Sequence, residues 1–211
     1  MQTAPTFAPT NASPGVFARL FGRRGSSAPT RRQRLRKIAG SPAADHAAEL
    51  LRAPSALMQL DEEEARTIVT YMAPHRIPEG QKFIKEGDTE NTDFMLLVLD
   101  GDVTVETVVV SRNEPITVTV LGPGSLIGEM GLIDGSPRSA SCTAMTDLRC
   151  AILTRRDLNR LLDEEPRAAA KLMMAISMRI AQRMRDNQAK LKLYSQLTQA
   201  MNEEINELMP L

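Results

Sequence analysis

Between His75 and Thr154 the chain is divided by glycine into short runs rich in β-branched residues. Gly80, Gly87, Gly101, Gly122 and Gly124 punctuate the stretches HRIPEGQKFIKEGD, FMLLVLDGDVTVETVVVS and PITVTVLGPG. Runs this short do not make self-supporting helices, and strands this closely spaced must pack on one another. They predict a small all-β unit, a jelly-roll or β-roll barrel. SASCTAM and RCAILT predict a last hairpin around Thr146-Asp147, which would bring Cys142 and Cys150 near each other.

Helices flank this unit. Residues 45–73 read as helical, with Asp61 and Glu64 forming a D-x-x-E cap ahead of Ala65, Ile68, Val69 and Met72. After Thr154, RRDLNRLLDEEP is one short helix, and Pro166 opens a second that nothing interrupts before Leu208. A 4-3 spacing follows the second helix through Met173, Ser177, Ile180, Met184, Asn187, Leu191, Tyr194, Thr198, Met201, Ile205 and Leu208. Such a seam signals a coiled coil in which Asn187 can fix the register. Its first half can equally pack on the β unit. The expected fold class is mainly β, a β-roll barrel with flanking α-helices and a long C-terminal helix. Its parts are a basic arm over 1–40, the β-roll with its adjoining helices over 41–164, and the long helix over 165–211.

A net charge of zero conceals a division along the chain. Residues 1–44 hold eight basic residues and no acidic one, leaving 18 basic and 26 acidic residues in the remainder. The Pro, Ser, Thr, Ala and Gly content of residues 1–40 cannot build a core, so the arm is expected to be largely disordered. Within it, GVFARLFGRR can set Val16, Phe17, Leu20 and Phe21 on one side of a short helix, suited to an anionic membrane surface or a partner's groove. A solvated tail is the plainer reading of the same composition. No apolar run approaches the ~20 residues needed to cross a bilayer. The N-terminal MQTAPTFAPTNASPG lacks the charged start and apolar stretch of a secretory signal. Two cysteines make no disulfide framework, and a pair of half-buried thiols in a cytosolic protein is the expected reading.

One segment, GEMGLIDGSPRSAS at residues 128–141, combines a fixed anion, a fixed cation and many small residues. A short helix beginning near Gly128 would present backbone N–H groups to an anion. Gly131 permits close approach to the backbone. Arg138 can grip a phosphate bidentately, and the Ser139 hydroxyl can donate to it. Glu129 has a use beside such an anion only if the ligand also carries a donor, as a sugar hydroxyl does. An anion and a hydroxyl together describe a ribose phosphate. On spacing alone, a surface ion pair accounts for the same residues.

The segment resembles the phosphate-binding cassette of cyclic nucleotide-binding domains, the family that includes the bacterial catabolite activator protein and the regulatory subunits of protein kinase A. IPEGQKFIKEGD, LLVLDGDVTV and LGPGSLIGE resemble the strand and glycine-turn pattern of the same β-roll, and the likeness covers roughly residues 45–185. It implies that Glu129 accepts the ribose 2′-OH and that Arg138 pairs with the cyclic phosphate. It further implies that backbone N–H groups near Gly128, Met130, Gly131, Ser139 and Ala140 complete the cradle. Family members with threonine after the cassette arginine often prefer cGMP, so Ser139 leans towards cAMP. Counting forward without gaps, Arg183-Met184 fall where the bacterial activator touches the purine with a Thr-Ser pair. Arg183 is thus the candidate base contact, or else a solvated helix arginine.

Residues 155–211 leave no place for the activators' helix-turn-helix pair. His46 and His75 are the only histidines and neither lies in a triad-like pattern, while no P-loop, dinucleotide fingerprint or metal-ligand cluster occurs. No catalytic residue, metal or cofactor is therefore expected. The expected function is that of a cytosolic receptor of bacterial type for cAMP, with cGMP as the alternative ligand. It would form a homodimer through the C-terminal helix and signal to a separate effector protein without sequence-specific DNA binding. Two further readings stay open: a scaffold whose barrel no longer responds to ligand, and a peripheral membrane protein held by the N-terminal arm.

Overall fold

The computed structural model describes residues 30–52, 60–108 and 115–208. GVFARLFGRR and its apolar stripe lie outside them. In chain order the elements are α1 (Arg31–Ile38), α2 (Pro42–Leu51), α3 (Glu62–Val69), β1 (Ala73–Ile77), β2 (Lys82–Ile84), β3 (Phe94–Asp100), β4 (Val103–Val108), β5 (Pro115–Leu121) and β6 (Leu126–Ile127). They continue with α4 (Glu129–Asp134), β7 (Ser141–Ala144), β8 (Leu148–Thr154), α5 (Arg155–Glu164) and α6 (Pro166–Leu208).

The strands form two antiparallel four-stranded sheets, ordered β1-β8-β3-β6 and β2-β7-β4-β5. They face each other as a β-roll but do not close into the barrel expected from the sequence. Among the described residues no strand pair joins β1 or β6 to β2 or β5. The expected hairpin at Thr146-Asp147 is also absent as such, because β7 and β8 belong to different sheets. Met145–Asp147 is instead a corner at which the chain changes sheet. It packs on the turn between β3 and β4, which changes sheet at the same place: Met145 N donates to Asp102 O at 2.8 Å, and Asp102 N donates to Thr146 Oγ1 at 3.0 Å. Gly101 has φ +89°, and a Cβ there would meet Asp147 O at 2.6 Å, so the double corner requires glycine. Cys142 and Cys150 are both free and buried, one in each sheet. Burial pushes both thiols up to about 12.

Strand β3 shows why the first sheet reads as an unbroken apolar run. Phe94, Leu96 and Val98 enter the core between the sheets with Ile84, Val103 and Ile152. Met95 and Leu97 enter a second core beneath the helices with Leu51, Ile68, Leu161, Leu172 and Ile176. A strand covered on both faces cannot alternate apolar with polar.

The helical expectation for 45–73 resolves into α2 and α3, with residues 53–59 outside the described chain and Ala73 already in β1. Asp61 and Glu64 form a reciprocal capping box at the start of α3. The last residues of the expected disordered arm form α1, whose Thr30 and Gln33 make a second capping box. Helix α6 divides in two. Leu172 and Ile176 are buried, whereas every residue from Gln182 to Glu204 is exposed. Along the seam, Met184, Leu191, Tyr194 and Met201 are 58%, 68%, 63% and 55% exposed.

Candidate functional site

The turn after β6 places the cassette. Gly128 adopts a left-handed conformation with φ +85°, ends β6 and caps α4. α4 therefore starts at Glu129 and lies against β3. The loop that follows returns Arg138 beneath α4. A cavity of about 530 Å³ opens between this cassette and α6. It is within the size range of small-ligand sites. Gly128, Glu129, Met130, Gly131, Arg138, Ser139, Ala140 and Arg183 all line it.

Arg138 is 5% exposed, and its guanidinium is committed largely to the protein itself. Nε donates to Asn91 O at 2.9 Å, Nη1 to Gly128 O at 2.8 Å and Nη2 to Phe94 O at 2.9 Å. The group stacks over the Phe94 ring at 4.5 Å. Burial lowers its pKa, opposed by the nearby Cys142, Asp88, Asp93 and Glu129. Three donations account for three of its five N–H groups, leaving two for an anion in the cavity. Arg138 also explains the glycines. A Cβ on Gly128 would lie 2.6 Å from its Nη1, and one on Gly131 3.0 Å from the same atom. Gly131 makes room for Arg138, a different reason from the ligand approach expected of it. Its carbonyl meanwhile accepts from Arg155 Nη2 at 2.8 Å, tying α4 to α5.

Glu129 is 2% exposed. Its Oε1 lies 2.9 Å from Arg183 Nη1 as an ion pair, but without the alignment of a hydrogen bond, so this buried oxygen lacks a hydrogen-bond donor. The ion pair offsets the charge of this buried oxygen but leaves its hydrogen-bonding capacity for an aligned donor. Arg183, the expected base contact, lies on the α6 wall of the cavity. It is 43% exposed at the side chain and faces the carboxylate. Met130 and Ser139 are exposed at the cavity, while Ala140 is half-buried.

The sequence reading missed most of the α6 wall. Arg179, Gln182, Asp186, Asn187 and Lys190 line the cavity with Arg183. The available signal was the i, i+4 pair Arg179 and Arg183, which puts two cations on one face of the helix. Burial lowers the pKa of Arg179, Glu129 opposing the shift and Arg183 adding to it. His46 and His75 border a separate groove near the start of α2. Among the described residues, no group of three or more His, Cys, Asp or Glu side chains is placed to hold a metal ion. Among the same residues no helix is long and apolar enough to cross a membrane.

Residues 74–165 match the family model of the cyclic nucleotide-binding domain. The chain is 32% identical over 133 residues to the cyclic AMP receptor protein of Thermus thermophilus, covering 63% of this chain and 58% of that protein. It superposes on the crystal structure of a cyclic nucleotide-binding domain from Methylobacillus flagellatus with a TM-score of 0.62 and 28% identity, covering 72% of this chain and 83% of the other. The regulatory domain of Toxoplasma gondii PKA, co-crystallised with cAMP, gives a TM-score of 0.51 at 25% identity over 57% of this chain and 44% of the other. The chain spans 26% to 58% of the length of five curated relatives it matches.

Proposed function

We propose, from the membership of residues 74–165 in the cyclic nucleotide-binding domain family, that the chain is a receptor for cAMP. The carrying observation is the buried Glu129 Oε1, which has no aligned donor and lies in the cavity that also holds Arg138. A ribose 2′-OH supplies the missing donor, and the free N–H groups of Arg138 take the cyclic phosphate. Backbone N–H groups at Met130, Gly131, Ser139 and Ala140 complete the cradle about Gly128. The cAMP receptor of Thermus and the cAMP-bound PKA domain support this ligand over cGMP, as does Ser139 after the cassette arginine.

We divide the chain into an arm over 1–40, a nucleotide-binding unit over 41–164 and a long helix over 165–211. The chain forms a homodimer through the exposed seam of α6, works in the cytosol and passes its signal to a separate effector protein. We assign it neither a catalytic role nor sequence-specific DNA reading. Calorimetric titration of cAMP and cGMP tests the receptor. Saturable binding that Glu129→Gln weakens at least tenfold is expected, and absence of binding at millimolar cAMP refutes it. The scaffold reading draws its support from Arg183, which already pairs with Glu129; the same titration separates the two.

A further inference from the structure

Within the described part of the N-terminal arm, Arg34 of α1 is buried at 5% exposure, while its neighbours Leu35 and Ile38 are half-buried. Its guanidinium stacks over the Tyr71 ring at 4.3 Å, donates to the Tyr71 hydroxyl at 2.8 Å and pairs with Glu164. The Tyr71 hydroxyl donates in turn to Glu164 Oε2 at 3.0 Å, and Arg160 Nε lies 3.7 Å from Oε1. Glu164 ends α5. The next residue, Glu165, leaves helical geometry at φ −137° and ψ 60°, and Pro166 begins α6. Arg34 therefore holds the joint from which α6 departs.

The far side of the same helix covers the cavity. Arg183 lies about 25 Å along α6 from Pro166 at the rise of an α-helix, and there it faces Glu129 Oε1 at 2.9 Å. A tilt at the joint moves Arg183, because the helix between them is continuous. The arrangement with Arg34 seated is the one in which Arg183 covers Glu129. A ligand hydroxyl that needs the same oxygen competes with Arg183 and favours a different position of α6.

We infer that Arg34 is a positioning residue for the nucleotide site: by holding Glu164 it stabilises the position of α6 that covers Glu129, and so opposes nucleotide binding. The inference rests on the proposal that cAMP occupies this cavity. Coupling between sites is reciprocal, so cAMP must loosen α1 by the factor through which seated α1 weakens cAMP.

The test is calorimetry with cAMP on the full chain and on Arg34→Gln, Arg34→Lys and Glu164→Gln, beside hydrogen exchange of the α1 amides with and without cAMP. Arg34→Gln is expected to bind cAMP about fivefold more tightly or better, the low end of typical coupling, with Arg34→Lys between it and the parent. Saturating cAMP should speed exchange of the α1 amides by a similar factor. Glu164→Gln, which keeps the side chain's shape, should reproduce the gain in affinity if Arg34→Gln fails to fold. Equal or weaker affinity in the variants, or α1 exchange unmoved by cAMP, overturns the inference while leaving the receptor intact. No binding to the parent chain at millimolar cAMP overturns the receptor proposal and this inference together.

Discussion

Arg138→Ala should cost stability before it costs binding. The guanidinium joins three segments: the loop before β3 at Asn91, β3 itself at Phe94, and the β6–α4 turn at Gly128, at 2.9, 2.9 and 2.8 Å respectively. Hydrogen bonds to a charged group are worth about 1.5–3 kcal/mol each. Water entering from the cavity would replace part of that, so about 1 kcal/mol per lost donation is reasonable. Loss of the stack on Phe94 adds about 1 kcal/mol. Removing a buried charge returns about 1 kcal/mol, since burial disfavours the cation. The net loss is about 3 kcal/mol, a large part of the ~5–15 kcal/mol available to a domain. Urea unfolding followed by far-ultraviolet circular dichroism measures it, with Arg138→Lys as comparison. Lysine keeps the charge but reaches fewer carbonyls, so it should lose about 2 kcal/mol. A loss below about 1 kcal/mol for Arg138→Ala would refute the bridging role. It would leave the side chain free to serve ligand alone.

Gly128→Ala should destabilise by about 1–2 kcal/mol from the left-handed backbone alone, and its methyl, 2.6 Å from Arg138 Nη1, should weaken cAMP binding as well; unchanged binding by calorimetry would show that the guanidinium can step aside. Stability should fall in alkali. Both thiols are raised from an ordinary value near 9 to about 12 in the fold, so the unfolded chain releases their protons first as pH rises from 9 towards 12. At pH 10 this removes about 1.4 kcal/mol per thiol, and urea unfolding of Cys142→Ala between pH 8 and 10 should show about half the parent's loss. Tyr194→Glu, at a seam position 63% exposed, should convert the proposed dimer to monomer in sedimentation velocity; a parent already monomeric defeats the coiled coil.

The legible parts of this chain are those whose cause is local. Asp61 and Glu64 cap α3 because they stand three residues apart, and α6 runs unbroken because no glycine or proline lies between Pro166 and Leu208. The cassette residues line one cavity because the left-handed Gly128 turns the chain directly before Glu129; spacing alone was equally consistent with a surface ion pair. What the same residues do to each other was hidden. Arg138 and Phe94 are 44 residues apart, and nothing in SPRSAS indicates that the arginine's donors turn towards the protein's own carbonyls. The sheet-changing corner was hidden for a related reason. SCTA and LRCAILT form strands and a turn by every local signal. The choice between pairing with each other and joining opposite sheets depends on distant strands, and Gly101 permits the outcome because a Cβ there would lie 2.6 Å from Asp147 O. Helix α1 is the sharpest case. Its composition is that of a disordered arm, and its capping box alone would not hold so short a helix in water. Tyr71 and Glu164, 37 and 130 residues away, give Arg34 a seat. A basic residue in a basic tail reads as solvated until the fold supplies its partner, so long-range charge pairing hides here in the segment whose composition suggests no structure.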